Sequence, residues 1–214
     1  MSDIISILSN NFSGLVVYKS RNNDVVAKID KSILINVSKF LIENETLKFD
    51  QLVDLCGVDY LRYKKSNWNT SSATSTGFSR GQMQFSDDLN FVKDRFAVVY
   101  NLLSYKHNHR IRLHVLVSMD NLSIPSVTAI WPTANWHERE VYDFFGIVFE
   151  GHPNLVRILT DYDFQDYPLR KDFPVTGKHE IRYDSDKKKL VYEPTRVKEK
   201  INSPKISRID LRYK

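Results

Sequence analysis

RFAVVYNLLSYKHNHRIRLHVLVSM, residues 95–119, contains the most regular apolar pattern of this 214-residue chain. Two strand-length segments, Arg95–Tyr105 and Arg110–Met119, are separated by a polar tetrapeptide. In the second segment the side chains alternate, with apolar Ile111, Leu113, Val115 and Val117 on one side and Arg110, Arg112, His114 and Ser118 on the other. Because successive strand residues point to opposite faces, this pattern predicts a half-buried antiparallel hairpin.

The segments around the hairpin predict further strands and helices. Strands over Leu15–Lys19 and Val25–Ile29 flank a turn-forming Asn-Asn-Asp sequence. Apolar residues at helical spacing predict a helix over Ser32–Glu43, with Ser32 as its N-cap. The other predicted elements are a short helix over 49–55 and strands over 56–60 and 126–131. This series predicts an α+β fold, in which a mainly antiparallel sheet packs with helices.

A third helix is predicted after Asn135, its expected N-cap. Its apolar residues Val141, Phe144, Phe145 and Val148 recur at i, i+3, i+4 and i+7. Gly146 is expected to end the helix. Glu138 and Glu140 are expected to stabilise the helix N-terminus, each by about 0.3–1 kcal/mol. Arg139 and Asp143 are expected to form an i,i+4 ion pair.

Two polar segments set the predicted domain organisation. Residues 64–90 are rich in Ser, Thr, Asn, Gly and Gln and predict a long inserted surface loop. After Gly151 periodicity fades and prolines recur, which predicts an α+β domain over 1–150 and an extended arm over 151–214. From Lys178 to Lys214 there are 12 Lys+Arg and 6 Asp+Glu, so this tail has a charge of +6 where the whole chain has +5. A basic tail on a nearly neutral body suggests an acidic docking surface, which is a protein, a nucleic acid or an anionic lipid.

Several chemistries lack the residues that they need. The single cysteine, Cys56, cannot hold an iron–sulfur cluster alone and is expected to be a small core residue. The stretch from His137 to Val141 superficially resembles the zinc-binding motif of a zinc-protease helix, but Val141 stands where the second histidine is required. His152 lies in a turn without other ligands at metal spacing, and no nucleotide-binding glycine fingerprint is present. These absences argue against metal and NADH sites in this chain.

Three features bear on location and on one alternative function. No apolar stretch approaches the ~20 residues that span a bilayer, so no direct membrane span is expected. The N-terminus shows neither a secretory signal nor an Arg-rich presequence, which favours an organelle-encoded chain or one used where it is made. The basic strand Arg110–His114 leaves a nucleic-acid-binding domain as an alternative, although the stacking aromatics of an RNA-recognition sheet are missing.

The series of motifs resembles one family. WHEREVYDFFGI (136–147), followed by GHP (151–153), RILTDY (157–162), PLRKDFP (168–174) and EIRYD (180–184), is similar to the 30-kilodalton peripheral-arm subunit of respiratory complex I, also called subunit nine. CGVDY (56–60) and VVYNLLS (98–104) add to the resemblance. The sequence departs from the family pattern in the inserted 64–90 loop, at Val156 and Tyr167, and in a tail after Pro194 without the usual aromatics.

The resemblance implies a role in a larger enzyme. The chain would be a cofactor-free structural subunit of the proton-pumping NADH:ubiquinone reductase, without an active site of its own. Its arm would wrap the 49-kilodalton quinone-site subunit, other peripheral-arm subunits would be neighbours, and FMN and iron–sulfur clusters would lie in partner chains. It would lie on the matrix side of the mitochondrial inner membrane or on the cytoplasmic face of a bacterial one. A homologous subunit of a chloroplast-type quinone oxidoreductase or a membrane-bound hydrogenase is the close alternative.

The motif residues are expected to form the interface and the ion-pair network that fastens the arm, because charges buried at an interface must be paired. They are Glu138, Arg139, Glu140, Asp143, His152, Arg157, Asp161, Tyr162, Pro168, Arg170, Lys171, Asp172 and Phe173.

Overall fold

The computed structural model describes residues 2–20, 24–61, 63 and 94–197, together with the backbone of four two-residue strands between 68 and 82. These residues divide into two compact units, one drawn from Met1–Tyr60 and Asn90–Arg170 and the other from Leu61–Leu89 and Lys171–Lys214. The helices are α1 (Ser2–Asn11), α2 (Leu34–Glu43) and α3 (Ala134–Phe145), with a 3₁₀ turn over Lys31–Ile33 before α2. The strands are β1 (Val16–Lys19), β2 (Val25–Ile29), β3 (Gln51–Asp59), β4 (Trp68–Asn69), β5 (Ala73–Thr74), β6 (Gly77–Phe78), β7 (Gly81–Gln82), β8 (Phe96–Ser104), β9 (His109–Val117), β10 (Ser123–Pro125), β11 (Val148–Glu150), β12 (His179–Asp184) and β13 (Lys189–Pro194).

The first unit is organised around a five-stranded sheet in the order β1-β2-β9-β8-β3. The predicted hairpin is confirmed: β8 and β9 pair antiparallel, with Tyr100 opposite Leu113. The β1–β2 and β3–β8 pairs are also antiparallel, whereas β2 runs parallel to β9. The α+β class with a mainly antiparallel sheet is therefore confirmed.

One face of the sheet forms the core. The inward residues of β9 pack with Ile4 and Leu8 of α1, Val37 of α2 and Phe145 of α3 in a single apolar cluster. Gly57 of β3 allows this packing, because a Cβ atom there would lie 2.6 Å from the ring of Phe145. This close packing of α3 against β3 sets the position of the helix that carries the buried Glu138 and Asp143.

Several predictions of single elements were wrong. The short helix expected over 49–55 is the start of β3, and the strand expected over 126–131 is a turn that follows β10. Ser32 is not the N-cap; Asp30 accepts hydrogen bonds from its backbone N–H (2.8 Å) and hydroxyl (2.7 Å). Cys56 is half-buried rather than a core residue, and burial raises the pKa of its thiol. Helix α1 was not predicted at all.

The second unit contains an antiparallel hairpin of β12 and β13, in which Arg182 of one strand pairs with Glu193 of the other at 2.8 Å. The extended arm predicted after Gly151 therefore contains a regular element here. The division at residue 150 and the course of the arm along a partner stay predictions. The inserted loop 64–90 lies outside the described residues except for its short strands, and the tail after Val197 lies wholly outside them.

Candidate functional site

Two charged residues of α3, Arg139 and Asp143, face the segment that follows β11, and Asp143 is the centre of this arrangement. Its carboxylate is fully buried. One oxygen, Oδ2, accepts the backbone N–H groups of Ile158, Leu159 and Thr160 at 3.1, 2.8 and 2.9 Å. The other, Oδ1, accepts the hydroxyl of Thr160. Asp143 therefore caps the 158–160 turn much as a side chain caps the start of a helix.

Arg157 supplies the positive charge. Its Nη1 donates to Asp143 Oδ1 at 2.9 Å and also to the backbone oxygen of Asp143 and to that of Asp166, each at 3.2 Å. The guanidinium lies over the rings of Tyr167 (5.3 Å) and Phe164 (5.8 Å). These contacts fasten residues 157–167 to the C-terminal half of α3.

The pKa of Asp143 shows which effect dominates in this cluster. Burial by itself favours the protonated acid. The hydrogen bonds from Thr160, Leu159 and Ile158 outweigh it, and the pKa falls to about 2. The carboxylate is thus charged at neutral pH and paired with Arg157.

Arg139 does not pair with Asp143 as predicted. Instead its Nε donates to the backbone oxygen of Val156 at 3.0 Å, and its guanidinium lies 5.1 Å from the ring centre of Trp136. The prediction was wrong because Asp143 points into the protein, where Arg157 and three backbone N–H groups are its partners.

Glu138 lies at the other end of the helix and is fully buried. It accepts the Ser126 hydroxyl at 2.6 Å and the backbone N–H of Val127 at 2.8 Å. Burial raises its pKa to about 7, although both hydrogen bonds act in the opposite direction. The predicted capping role was wrong, because α3 begins at Ala134 with Thr133 rather than Asn135 as its N-cap, and neither glutamate lies in the first turn. Glu138 instead ties α3 to the 126–131 turn, and Glu140 is exposed.

Arg170 contacts the C-terminal end of α3 beside Gly146. Its Nε donates to the backbone oxygen of Phe145 at 2.7 Å, and its guanidinium stacks 4.3 Å from the centre of the Tyr167 ring. Gly146 ends α3 with φ 73°, as predicted. A Cβ atom at this position would lie 2.5 Å from Tyr167 and 2.7 Å from Arg170 Nη2.

The remaining predicted residues are divided between the two units. In the first, the Nε2 of His152 lies 3.2 Å from the backbone oxygen of Asn135, Pro168 is half-buried, and Asp161 and Tyr162 are exposed. Lys171, Asp172 and Phe173 belong to the second unit. Ser126 and Thr160 were not predicted, because nothing in the spacing of a lone hydroxyl residue marks it as a partner of a distant carboxylate.

The arrangement holds backbone in place rather than opening a reactive cleft. Within residues 2–61 and 94–197, as far as the structure describes them, no three His, Cys, Asp or Glu side chains lie close enough to hold a metal ion. None of the helices described there is long and apolar enough to cross a membrane.

Comparison with known proteins identifies the family. The model of the family described as respiratory-chain NADH dehydrogenase, 30 Kd subunit, matches residues 27–179. The chain belongs to this family. The resemblance seen in the motifs is confirmed, and the chain is a subunit of an NADH:quinone oxidoreductase.

Relatives and a solved structure agree with the family match. An NADH-quinone oxidoreductase subunit of Coxiella burnetii (strain Dugway 5J108-111) is 45% identical, with 92% of this chain and 90% of the relative covered. The corresponding subunit of Legionella pneumophila (strain Philadelphia 1) is 46% identical, with 96% and 90% covered. A solved trypsin-resistant fragment of Nqo5 has a TM-score of 0.51 and 27% identity, covering 72% of this chain and 98% of that one. The nucleic-acid and hydrogenase alternatives are therefore not favoured.

Gly146→Ala should lower the free energy of unfolding by about 1–3 kcal/mol, because alanine is strained at positive φ and its Cβ atom would clash with Tyr167. Chemical denaturation of the purified wild-type and variant chains measures this loss of unfolding free energy. The control is Gly151→Ala, where φ is 84° but no atom lies within 4 Å, so that strain acts alone. Equal losses at both glycines would contradict the packing of Tyr167 and Arg170 against this turn.

Proposed function

We propose that this chain is a cofactor-free scaffold of the NADH:quinone oxidoreductase, which binds the 49-kilodalton quinone-site subunit and its peripheral-arm neighbours. FMN and iron–sulfur clusters belong to those partner chains. The observation that carries the proposal is that charged residues of the family motifs bind backbone and side chains within the chain itself. Asp143, Arg157 and Arg170 are engaged in fixing residues 157–170 on α3. Such a network builds a rigid surface rather than an open catalytic site.

The segment that these charges hold is suited to contact with another subunit. Residues 151–170 have no strand or helix of their own in the structure. Hydrogen bonds to α3 hold this segment at Val156, at residues 158–160 and at Leu169. Fixing a segment in advance removes part of the entropy cost of binding, which runs to about 0.5–1.5 kcal/mol for each immobilised side chain. We propose that the arm continues from this fixed segment onto the 49-kilodalton subunit.

The proposal includes a location. The subunit would be peripheral, on the matrix side of the mitochondrial inner membrane or on the cytoplasmic face of a bacterial membrane. The relatives named above are bacterial, which favours the second setting.

Deletion of the chain followed by complementation tests this function. Cells without it should lose assembled NADH:quinone oxidoreductase, and a tagged copy should restore it and co-purify with the other subunits in mild detergent. The isolated chain should neither oxidise NADH nor reduce a quinone. Flavin absorbance or turnover in the isolated chain, or a tagged copy that retains nucleic acid instead of subunits, would contradict the proposal.

A further inference from the structure

The loop that follows Arg157 has a surface unlike that of an ordinary solvated loop. We define residues 158–169 as the acidic loop: it contains three aspartates and no lysine or arginine, in a chain whose net charge is +5. Three large apolar side chains on it are exposed, Tyr162 by 86%, Leu159 by 61% and Leu169 by 49%. The acidic loop thus combines negative charge with exposed apolar groups.

The backbone of the acidic loop is held at both ends and in the middle. Asp143 binds the N–H groups of its first three residues. The Leu169 N–H donates to the backbone oxygen of Phe144 at 3.3 Å, and Arg157 binds the oxygen of Asp166. A loop fixed in this way keeps its exposed side chains in place before any partner binds.

The aromatic residues in the loop have two different environments. Phe164 and Tyr167 are half-buried beneath the guanidinium of Arg157 and so belong to the internal network. Tyr162 projects into solvent between Asp161 and Asp163, both exposed. Exposed apolar groups rimmed by polar ones mark interaction sites, and tyrosine is among the residues enriched at binding hot spots.

We propose that the acidic loop is a docking surface for a basic segment of a neighbouring subunit, one that offers an apolar pocket to Tyr162 and lysine or arginine to Asp161 and Asp163. The negative charge of the loop selects this partner, because opposite charges across an interface guide association and like charges oppose it. For the same reason an anionic membrane surface would repel the loop. This inference rests on the proposed function, since the partner is a subunit of the same complex.

The test replaces the native copy with a tagged full-length chain in cells that assemble the complex. Tyr162→Ser should reduce the amount of the other subunits retained in mild detergent by about tenfold. The matched control is Tyr105→Ser, in the β8–β9 turn, where the tyrosine is 82% exposed. Asp163→Lys should reduce retention about fivefold at low salt and less at high salt. Its control, Asp120→Lys, should leave retention unchanged.

A photo-crosslinking residue at position 162 identifies the occupant. It should attach to a stretch of a neighbouring subunit that contains lysine or arginine. Attachment to lipid, or to a stretch without basic residues, would overturn the inference. If the wild-type chain retains the other subunits and Tyr162→Ser retains them equally well, the inference fails while the proposed function stands. If the wild-type chain retains none of them, both fail.

Discussion

Asp143→Ala is expected to lower the free energy of unfolding by about 3–5 kcal/mol. The substitution leaves three backbone N–H groups without their acceptor and leaves Arg157 without its carboxylate. Breaking a buried ion pair by removing one partner costs about that much. Urea denaturation of the purified chain measures the loss, and limited proteolysis should show faster cleavage within the acidic loop.

Two other variants distinguish the loss of the buried Asp143 carboxylate from the loss of one hydrogen bond and from the loss of an exposed carboxylate. Thr160→Val removes the hydroxyl that donates to Asp143 and should cost about 1 kcal/mol. Asp161→Ala removes an exposed carboxylate and should change the free energy of unfolding by less than about 0.5 kcal/mol. A loss below about 1 kcal/mol for Asp143→Ala would mean that the acidic loop is not held by this residue.

The same carboxylate predicts a pH dependence. The pKa of Asp143 is about 2 in the folded chain and ordinarily 3.8, so the folded state binds this proton less readily than the unfolded state. Its contribution of about 2 kcal/mol is complete above about pH 5 and is lost as the pH falls through 4 towards 2. In Asp143→Ala the acid side of the stability curve should be correspondingly flatter.

The sequence predicted what depends on local periodicity. The alternation in 110–117 indicated the buried face of β9. The spacing of Val141, Phe144 and Phe145 indicated the helix that Gly146 ends, although Val148, which was counted in the same pattern, lies in β11. In both cases the pattern lies within one strand or one helix, because each packs one apolar face against the core. The family motifs also indicated that residues 157–170, which contact α3, belong to an ion-pair network.

The sequence could not predict contacts between distant residues. The parallel pairing of β2 with β9 joins segments that are far apart in the chain, and no local pattern records it. Arg139 and Asp143 have the spacing of a helical ion pair, yet Asp143 binds residues 157–160 because it lies on the buried side of α3. Residues 49–55 were predicted as a short helix, but β3 begins there, and its pairing with β8 is irregular between Leu52 and Asp54. Tertiary packing overrides local spacing at each of these places.

Glu138→Gln is expected to stabilise the chain at alkaline pH, which is the opposite of the effect at Asp143. Glu138 is fully buried, and its hydrogen bonds come from a hydroxyl and a backbone N–H. Its pKa rises from the ordinary value of 4.5 to about 7. The unfolded chain therefore loses this proton more readily than the folded chain, and the free energy of unfolding should fall as the pH rises from about 4.5 to 7.

The size of this effect follows from the shift in the pKa of Glu138, because each pKa unit corresponds to about 1.4 kcal/mol. Ionised Glu138 should therefore lower the free energy of unfolding by about 3 kcal/mol above about pH 7. Glutamine is uncharged and keeps an acceptor for the Val127 N–H, so Glu138→Gln should match the wild type near about pH 5 and exceed it by about 2–3 kcal/mol near about pH 8.5. Denaturation curves at both pH values measure this, with the exposed Glu140→Gln as the control that should follow the wild type. Glu138→Ala should be less stable than the wild type at the lower pH, because it leaves the Val127 N–H without an acceptor and creates a cavity. Parallel pH curves for wild type and Glu138→Gln would mean that Glu138 is not a buried acid, and the tie between α3 and the 126–131 turn would then need another explanation.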